Sequence, residues 1–537
     1  MNRSQPASKP RADAFDRLTL LGWSGSLVAI IAGLAASFVL FGYAVIYWRN
    51  ADMDFMIVYS ALAMNADKPQ QFLDHTAYLT ILSTKTWFAL LHEVGLLDAW
   101  SLPAIPPATD AAGFDAAMTH AVRAARVLAF LIAAGSVLIF AGLCRRILHD
   151  WRVALVATLA LALSGGIAVH SRILRSELVA ACPVIFALMI LIVLGRSASL
   201  ARPLGLAVAA ALCVLGLENK VQAILMIGAL PFLILPFGGE KSASLAFWRR
   251  PEAWLVCGLA ATMALAAAWA AWPLVATGFD RAVLDAAGFH PLFFNRFGIY
   301  QAALLFLIVG CMVAYAAIWR IAAAETLTSI CAVVAGSAIA LLALEVSYNT
   351  SNVIAVVNPL EKMLQFADAD TSKAASGSPA AMLLLLIEGL GSVLARYSFV
   401  LHSSPRPTVF LIWLIVAGII YSWRRGERQA SLQALMLLVA ATAIDLFNVR
   451  RGLKAEYFIF TDPLMILAGA ILLDSRTELR LHKRAFAVVA TLLGLHIAVG
   501  QAEPIKYAFK RSGPESICQW SPHYMPLLRL PWCPARS

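Results

Sequence analysis

Apolar positions in this chain run in long blocks rather than in a two-residue alternation, so the pattern predicts helices and no sheet. The first block, about 18–48, follows Arg3, Lys9, Arg11 and Arg17. At about 30 residues it exceeds the 7–15 apolar residues of a signal peptide, and is expected to stay as a first helix that starts in the cytoplasm. Further blocks fall near 122–143, 153–169, 178–194, 203–217, 221–237, 254–277, 299–319, 326–346, 408–423, 432–447, 463–473 and 486–500. Each approaches the roughly 20 residues that cross a bilayer core, which predicts an all-α polytopic membrane protein with about thirteen transmembrane helices.

Two other apolar segments, 77–97 and 381–400, are long enough to be mistaken for spans. With both left out, Arg145, Arg146 and Arg152, then Arg196 and Arg202, then Lys241, Arg249 and Arg250 fall on one side with the N-terminus. Arg320, the group Arg424, Arg425 and Arg428, and the group Arg476, Arg480, Lys483 and Arg484 join them. Short cytoplasmic loops carry such excess, so the bias assigns 77–97 and 381–400 to two interfacial helices on the outer face. Polar residues within them, Lys85, His92 and Glu93 in the first and Glu388 and Arg396 in the second, agree with that placement.

Composition sharpens this reading. Residues are 61% hydrophobic and 14% charged, with a mean hydropathy of +0.77, which excludes a water-soluble globular enzyme. The formal charge of +11 is first a matter of topology, so nucleic acid is not an expected partner. Cytoplasmic loops are short and there is no GxxxxGK[ST] segment, so an ATP-driven pump in one chain is excluded. Three modules are expected: 1–240 with a first outer loop 49–100, 241–500 with outer loops 278–298 and 347–407, and an outer tail 501–537. In that Pro-rich tail Cys518 and Cys533 stand apart from the six cysteines in or beside apolar blocks. In an oxidising compartment they are expected to form a disulfide, the alternative being two free thiols.

Candidate chemistry gathers on the outer side. Asp52 and Asp54 follow the first span directly, and carboxylates beside a bilayer are functional candidates, unless they mark the water boundary or pair with Arg49. Cations lie on the same face against the positive-inside bias: Arg172 and Arg175 after the third span, Lys220 after the fifth, and Arg451 after the eleventh. An anionic ligand such as a lipid phosphate would account for them, as would pairing with Glu177, Glu218 and Glu456 in the same loops.

The order of these features resembles the C-type membrane glycosyltransferases (GT-C superfold), which include the protein O-mannosyltransferases and the lipid A aminoarabinose transferases. Asp52-Met53-Asp54 stands where that family has its loop acid, and Asp74-His75-Thr76-Ala77-Tyr78-Leu79 resembles its His-Pro-Pro-Leu entry to a surface helix, with Thr76 and Ala77 in place of the prolines. The block 123–146 is similar to the family's second span, 216–222 with Lys220 to its Gly-x-x-x-Lys segment, and 451–463 with Tyr457 to its Arg-Tyr lead into a late span. The resemblance implies a GT-C-like fold, a polyprenyl-phosphate sugar as donor, and inverting hexosyl or pentosyl transfer on the outer face with the loop Asp as base.

Chemistry agrees with that implication. An acceptor hydroxyl needs a positioned general base, expected to be Asp54 with Asp52 as second choice. The leaving phosphate needs preorganised cations, for which Arg172, Arg175, Lys220 and Arg451 are the candidates. His75, Tyr78 and Tyr457 are candidates for binding the substrate. No cofactor is expected, because the donor is itself a substrate, and no His or Cys cluster has metal-ligand spacing. Expected partners are the lipid-linked sugar, membrane lipids and a glycan, lipid or protein acceptor. Ala-rich spans with Arg over Lys suit a bacterial inner membrane, with the N-terminus cytoplasmic and the C-terminus periplasmic. The rival class, a lipid or solute transporter or flippase, would carry ionisable residues near the midplane; here they cluster at outer ends of spans.

Overall fold

In hydrocarbon every backbone N–H and C=O must be satisfied within the chain, which leaves helices as the economical solution for these apolar blocks. The computed structural model describes residues 22–50, 54–68, 77–195, 202–220, 222–237, 298–319, 321–347, 379–397, 408–448, 455–475, 483–509, 513–519 and 521–534. Among them there are helices and turns but no strand. The block expected near 254–277 and most of the outer loops 278–298 and 347–407 lie outside the described residues.

The chain order begins with α1 (Gly22–Phe38), which runs into a π-helical turn (Val39–Tyr43), followed by α2 (Met56–Met64) and α3 (Tyr78–Glu93). Then come α4 (Ala111–Ile147), α5 (Trp151–Ala162), α6 (Gly165–His170), α7 (Ser176–Gly195), α8 (Arg202–Asn219) and α9 (Ala223–Ile234). The later helices are α10 (Gly298–Ile318), α11 (Ala323–Ser347), α12 (Pro379–Arg396), α13 (Val409–Arg424), α14 (Arg428–Asn448), α15 (Asp462–Asp474) and α16 (Lys483–Ala508). Six described helices are long and apolar enough to cross a membrane, and five shorter apolar helices accompany them. The two segments expected to be interfacial form α3 and α12.

The block 153–169 is not one helix. It breaks after Ala162, and Ser164 caps the next piece, its Oγ accepting the Ile167 N–H at 3.3 Å. Two glycines then let other backbone come close: a Cβ on Gly166 would lie 3.0 Å from the Ile459 nitrogen, and one on Gly165 3.1 Å from the Gly500 carbonyl. These approaches bring α6 against both the 3-10 turn Ala455–Phe460 and α16. Small residues serve the same purpose where α8 packs, since a Cβ on Gly216 would sit 2.5 Å from the Ala180 carbonyl.

Two cores result. One is built from the spans, α4, α5, α7, α9, α14 and α15 foremost. The other joins Tyr47, Phe55, α2, α3 and the first half of α4 to Ile517, Met525, Leu528 and Leu530 of the tail. Cys518 and Cys533 are disulfide-bonded, with Cα atoms 5.4 Å apart. The stapled tail sets Trp532 against Tyr47 and Phe114, and its Leu527 N–H donates to the Tyr59 hydroxyl at 3.2 Å. Burial raises the phenol pKa of Tyr47, with Asp115 adding to the rise; burial also raises that of Tyr59, against the Leu527 bond.

Candidate functional site

The segment 170–177, between α6 and α7, sends neighbouring side chains into different surroundings. Glu177 lies in the first turn of α7, where the helix dipole favours a carboxylate. It is completely buried, and Lys220 Nζ donates to its Oε1 at 2.5 Å. Arg175 donates to both of its oxygens, at 3.1 and 3.2 Å, and His170 Nε2 is 3.7 Å away. Arg175 also reaches Glu456 at 3.6 Å, and Lys220 Nζ lies 5.8 Å from the centre of the Tyr457 ring. Three of the residues singled out from sequence, Arg175, Lys220 and Tyr457, therefore share one cluster. Its cations are paired with glutamates, but partly across loops: Arg175 pairs with Glu177 of its own loop and with Glu456, and Lys220 pairs with Glu177.

Asn219 binds a further element to this cluster. Its side-chain amide donates to the Ser176 carbonyl at 2.7 Å, while its Oδ1 accepts from both the backbone N–H and hydroxyl of Thr80 at 3.0 Å. Ala77 N–H donates to the Asn219 carbonyl at 3.0 Å. Ala77 has φ +46°, a left-handed conformation that costs an alanine about 1–3 kcal/mol, and these bonds offset it. Tyr78 thereby stands, buried, at the start of α3 beside the cluster.

Asp54 has a different environment. Both it and Arg126 are completely buried, and Arg126 Nε donates to Asp54 Oδ2 at 2.7 Å. The other carboxylate oxygen accepts the Leu174 N–H at 2.5 Å. Arg126 Nη1 donates to the carbonyls of Gly42 and Val45. Asp54 therefore fastens the chain after α1 to α4 and to the segment 170–177. Sequence reasoning gave Arg126 no role because it lies inside an apolar block. The usable signal was a carboxylate beside the first span that needed a cation, with Arg123 and Arg126 one turn apart at the water end of α4.

Arg172 points away from the glutamates. It is 2% exposed and donates to Ser37 Oγ of α1 at 2.5 Å and to Gln501 Oε1 of α16 at 2.6 Å, with its guanidinium 5.1 Å from the centre of the Phe41 ring. Among the described residues it has no carboxylate partner, and burial lowers its pKa to about 10. Asp52, His75 and Arg451 lie outside the described residues. No group of three His, Cys, Asp or Glu side chains gathers as metal ligands would among the described residues.

One residue turn below the Glu218-Asn219-Lys220 corner, Leu217 lines an apolar cavity of about 470 Å³. Its walls come from α8, α9, α10 and α11 with Leu191 of α7, and Cys213, Cys311, Tyr315 and Ser337 are the polar exceptions. A cavity in the range of roughly 300–1,000 Å³ suits one apolar ligand.

No protein-family model matches this chain, and no curated protein matches it. The chain is similar to an archaeal oligosaccharyltransferase. That protein is AglB of Archaeoglobus fulgidus: its structure with an inhibitory peptide and a dolichol-phosphate gives 12% identity and a TM-score of 0.47 over 94% of this chain and 58% of that one. The apo form gives 12% identity and 0.45 over 95% and 59%, and the complex with zinc and sulfate 11% and 0.42 over 89% and 53%. The chain thus spans little more than half the length of the archaeal protein.

Proposed function

We propose that this protein is an integral-membrane glycosyltransferase that moves a sugar from a polyprenyl-phosphate donor to an acceptor hydroxyl, with inversion. The observation that carries the reading is the adjacency of two unlike environments: Arg175, Lys220 and Tyr457 sit at the end of α8, and the apolar cavity starts at Leu217 of the same helix. A lipid-borne phosphate needs both, cations for its head and an apolar chamber for its chain. Glu177 and Glu456 hold the two cations in register, so that little reorganisation is needed when charge develops on the leaving phosphate.

The base is proposed within the acidic pair at 52–54. Asp54 is committed to Arg126 and Leu174 N–H, and so acts first as a positioning residue; Asp52 is the proposed acceptor of the hydroxyl proton. The disulfide in the tail, and the packing of that tail on Tyr47, Tyr59 and Phe114, support an oxidising, periplasmic face for this side of the bundle.

A short-chain polyprenyl-phosphate sugar with the protein in lipid nanodiscs tests the reading. Asp52→Asn and Lys220→Met should each lower turnover by about 10²- to 10⁴-fold, with Lys220→Arg restoring part of the loss. Asp54→Asn should lower both turnover and the melting temperature. Transfer that persists in both Asp52→Asn and Asp54→Asn, or a product with the donor's anomeric configuration, would remove the mechanism.

A further inference from the structure

Helix α4 sets a ruler across the membrane. From Arg126 to Arg145 are nineteen steps of 1.5 Å, about 29 Å, against a hydrocarbon thickness of roughly 30 Å. Arg123 and Arg126 therefore stand at headgroup level on one side, as Arg145 and Arg146 do on the other.

At that level three guanidinium groups surround the π-helical turn at the end of α1. Arg126 donates to the Gly42 carbonyl at 3.1 Å, and Arg123 lies over the Tyr43 ring at 5.2 Å. Arg172 approaches so closely that a Cβ on Gly42 would lie 2.9 Å from its Cα and Cβ. Buried donor atoms on all three, Arg123 Nε, Arg126 Nη2 and Arg172 Nη1, have no acceptor. The carboxylate paired here is Asp54, shared through Arg126, and Asp115, farther out on α4, lies against the Tyr47 hydroxyl. Among the described residues, three cations thus face one bound carboxylate, and Arg172 donates to neutral oxygens alone. Next to them the turn and the residues just after it present apolar side chains outward, with Val39 53%, Leu40 66% and Ile46 46% exposed.

We propose that this arginine group binds the phosphate of an anionic membrane phospholipid, whose acyl chains lie along Val39, Leu40 and Ile46. The chemistry is complementary on both counts. Guanidinium groups present paired N–H donors that match phosphate oxygens, and at this depth the headgroup phosphate is the anion at hand. The exposed apolar turn supplies the hydrocarbon contact that a free phosphate cannot use. The site is separate from the Glu177 cluster, whose cations already have carboxylates, and it does not depend on the transfer reaction.

Native mass spectrometry of the full chain tests this, with phosphatidylglycerol as the titrated lipid, phosphatidylcholine and inorganic phosphate as controls, and a short-chain polyprenyl phosphate as competitor. The wild-type protein should retain one phosphatidylglycerol in preference to phosphatidylcholine. Arg172→Gln should weaken that retention about ten-fold and Arg172→Lys by less. Arg123→Gln, on a partly exposed side chain, should weaken it several-fold and decides the matter if Arg172→Gln does not fold. Unchanged retention in these variants, or equal retention of phosphatidylcholine, would overturn the proposal. So would inorganic phosphate binding as tightly as the lipid, or stoichiometric displacement by polyprenyl phosphate, which would make this the donor's own site. A protein inactive in sugar transfer that still shows the expected lipid pattern would sink the transfer reading and leave this one standing.

Discussion

Two groups of buried cations flank the segment 170–177, and they solve the same electrostatic problem in opposite ways. On one side, Arg175 and Lys220 face Glu177 and Glu456 within salt-bridge distance. On the other, Arg172 is held by a serine and a glutamine, with Arg123 and Arg126 nearby and one carboxylate among the three. A cation out of water needs an anion close at hand, since desolvation costs several kcal/mol per ion after relaxation. The first group carries its anions in the chain. Among the described residues the second has one carboxylate for three guanidinium groups, which leaves it open to an anion from the membrane.

The sharpest way to break this contrast is Glu177→Gln, which would strip the first group of its shared anion. Removing one partner of a buried pair costs about 3–5 kcal/mol, so the melting temperature in detergent should fall markedly, and a variant as stable as the wild type would dissolve the distinction. Cys518→Ser comes next. Opening the 15-residue loop should cost about 3 kcal/mol, read as earlier loss of Trp532 fluorescence burial while the spans melt as before. Arg172→Met should behave unlike Glu177→Gln: in lipid-free detergent it should leave stability within about 1 kcal/mol or raise it, because an uncompensated charge gives way to an apolar side chain of similar length. A large loss there would mean that Arg172 is balanced within the chain.

The smallest effect is alkaline. The Tyr47 phenol has a folded pKa above its unfolded value, so the stability it contributes is complete below pH about 10 and declines as pH rises beyond it. Tyr47→Phe should therefore flatten the alkaline limb of a melting-temperature profile above pH 10 and leave the neutral value nearly unchanged.

Much of the helix placement was legible because apolar blocks must be helical in lipid, and α4, α7 and α16 fall where their blocks do. The break at Ser164 was not, since Leu161, Ala162, Ile167 and Ala168 on either side read as one continuous block and the cap needs only one hydroxyl. The cysteine pair was legible because Cys518 and Cys533 stood in polar surroundings. Arg172, Arg175 and Lys220 could be named as phosphate-binding candidates, but not sorted. Arg172 and Arg175 are three residues apart in one loop and face different helices, and partners of that kind are set by tertiary packing. Arg126 was hidden by its own apolar neighbours.

The stapled tail has a consequence for how the molecule is made. Ile517, Met525, Leu528 and Leu530 complete a core whose other walls include Tyr47, Tyr59 and Phe114, translated more than 400 residues earlier. On the proposed outer placement of the tail, the first outer loop keeps its apolar side uncovered until the late segment has been exported and oxidised. Closure of the Cys518–Cys533 bond is then a single late event that marks the nascent protein as finished.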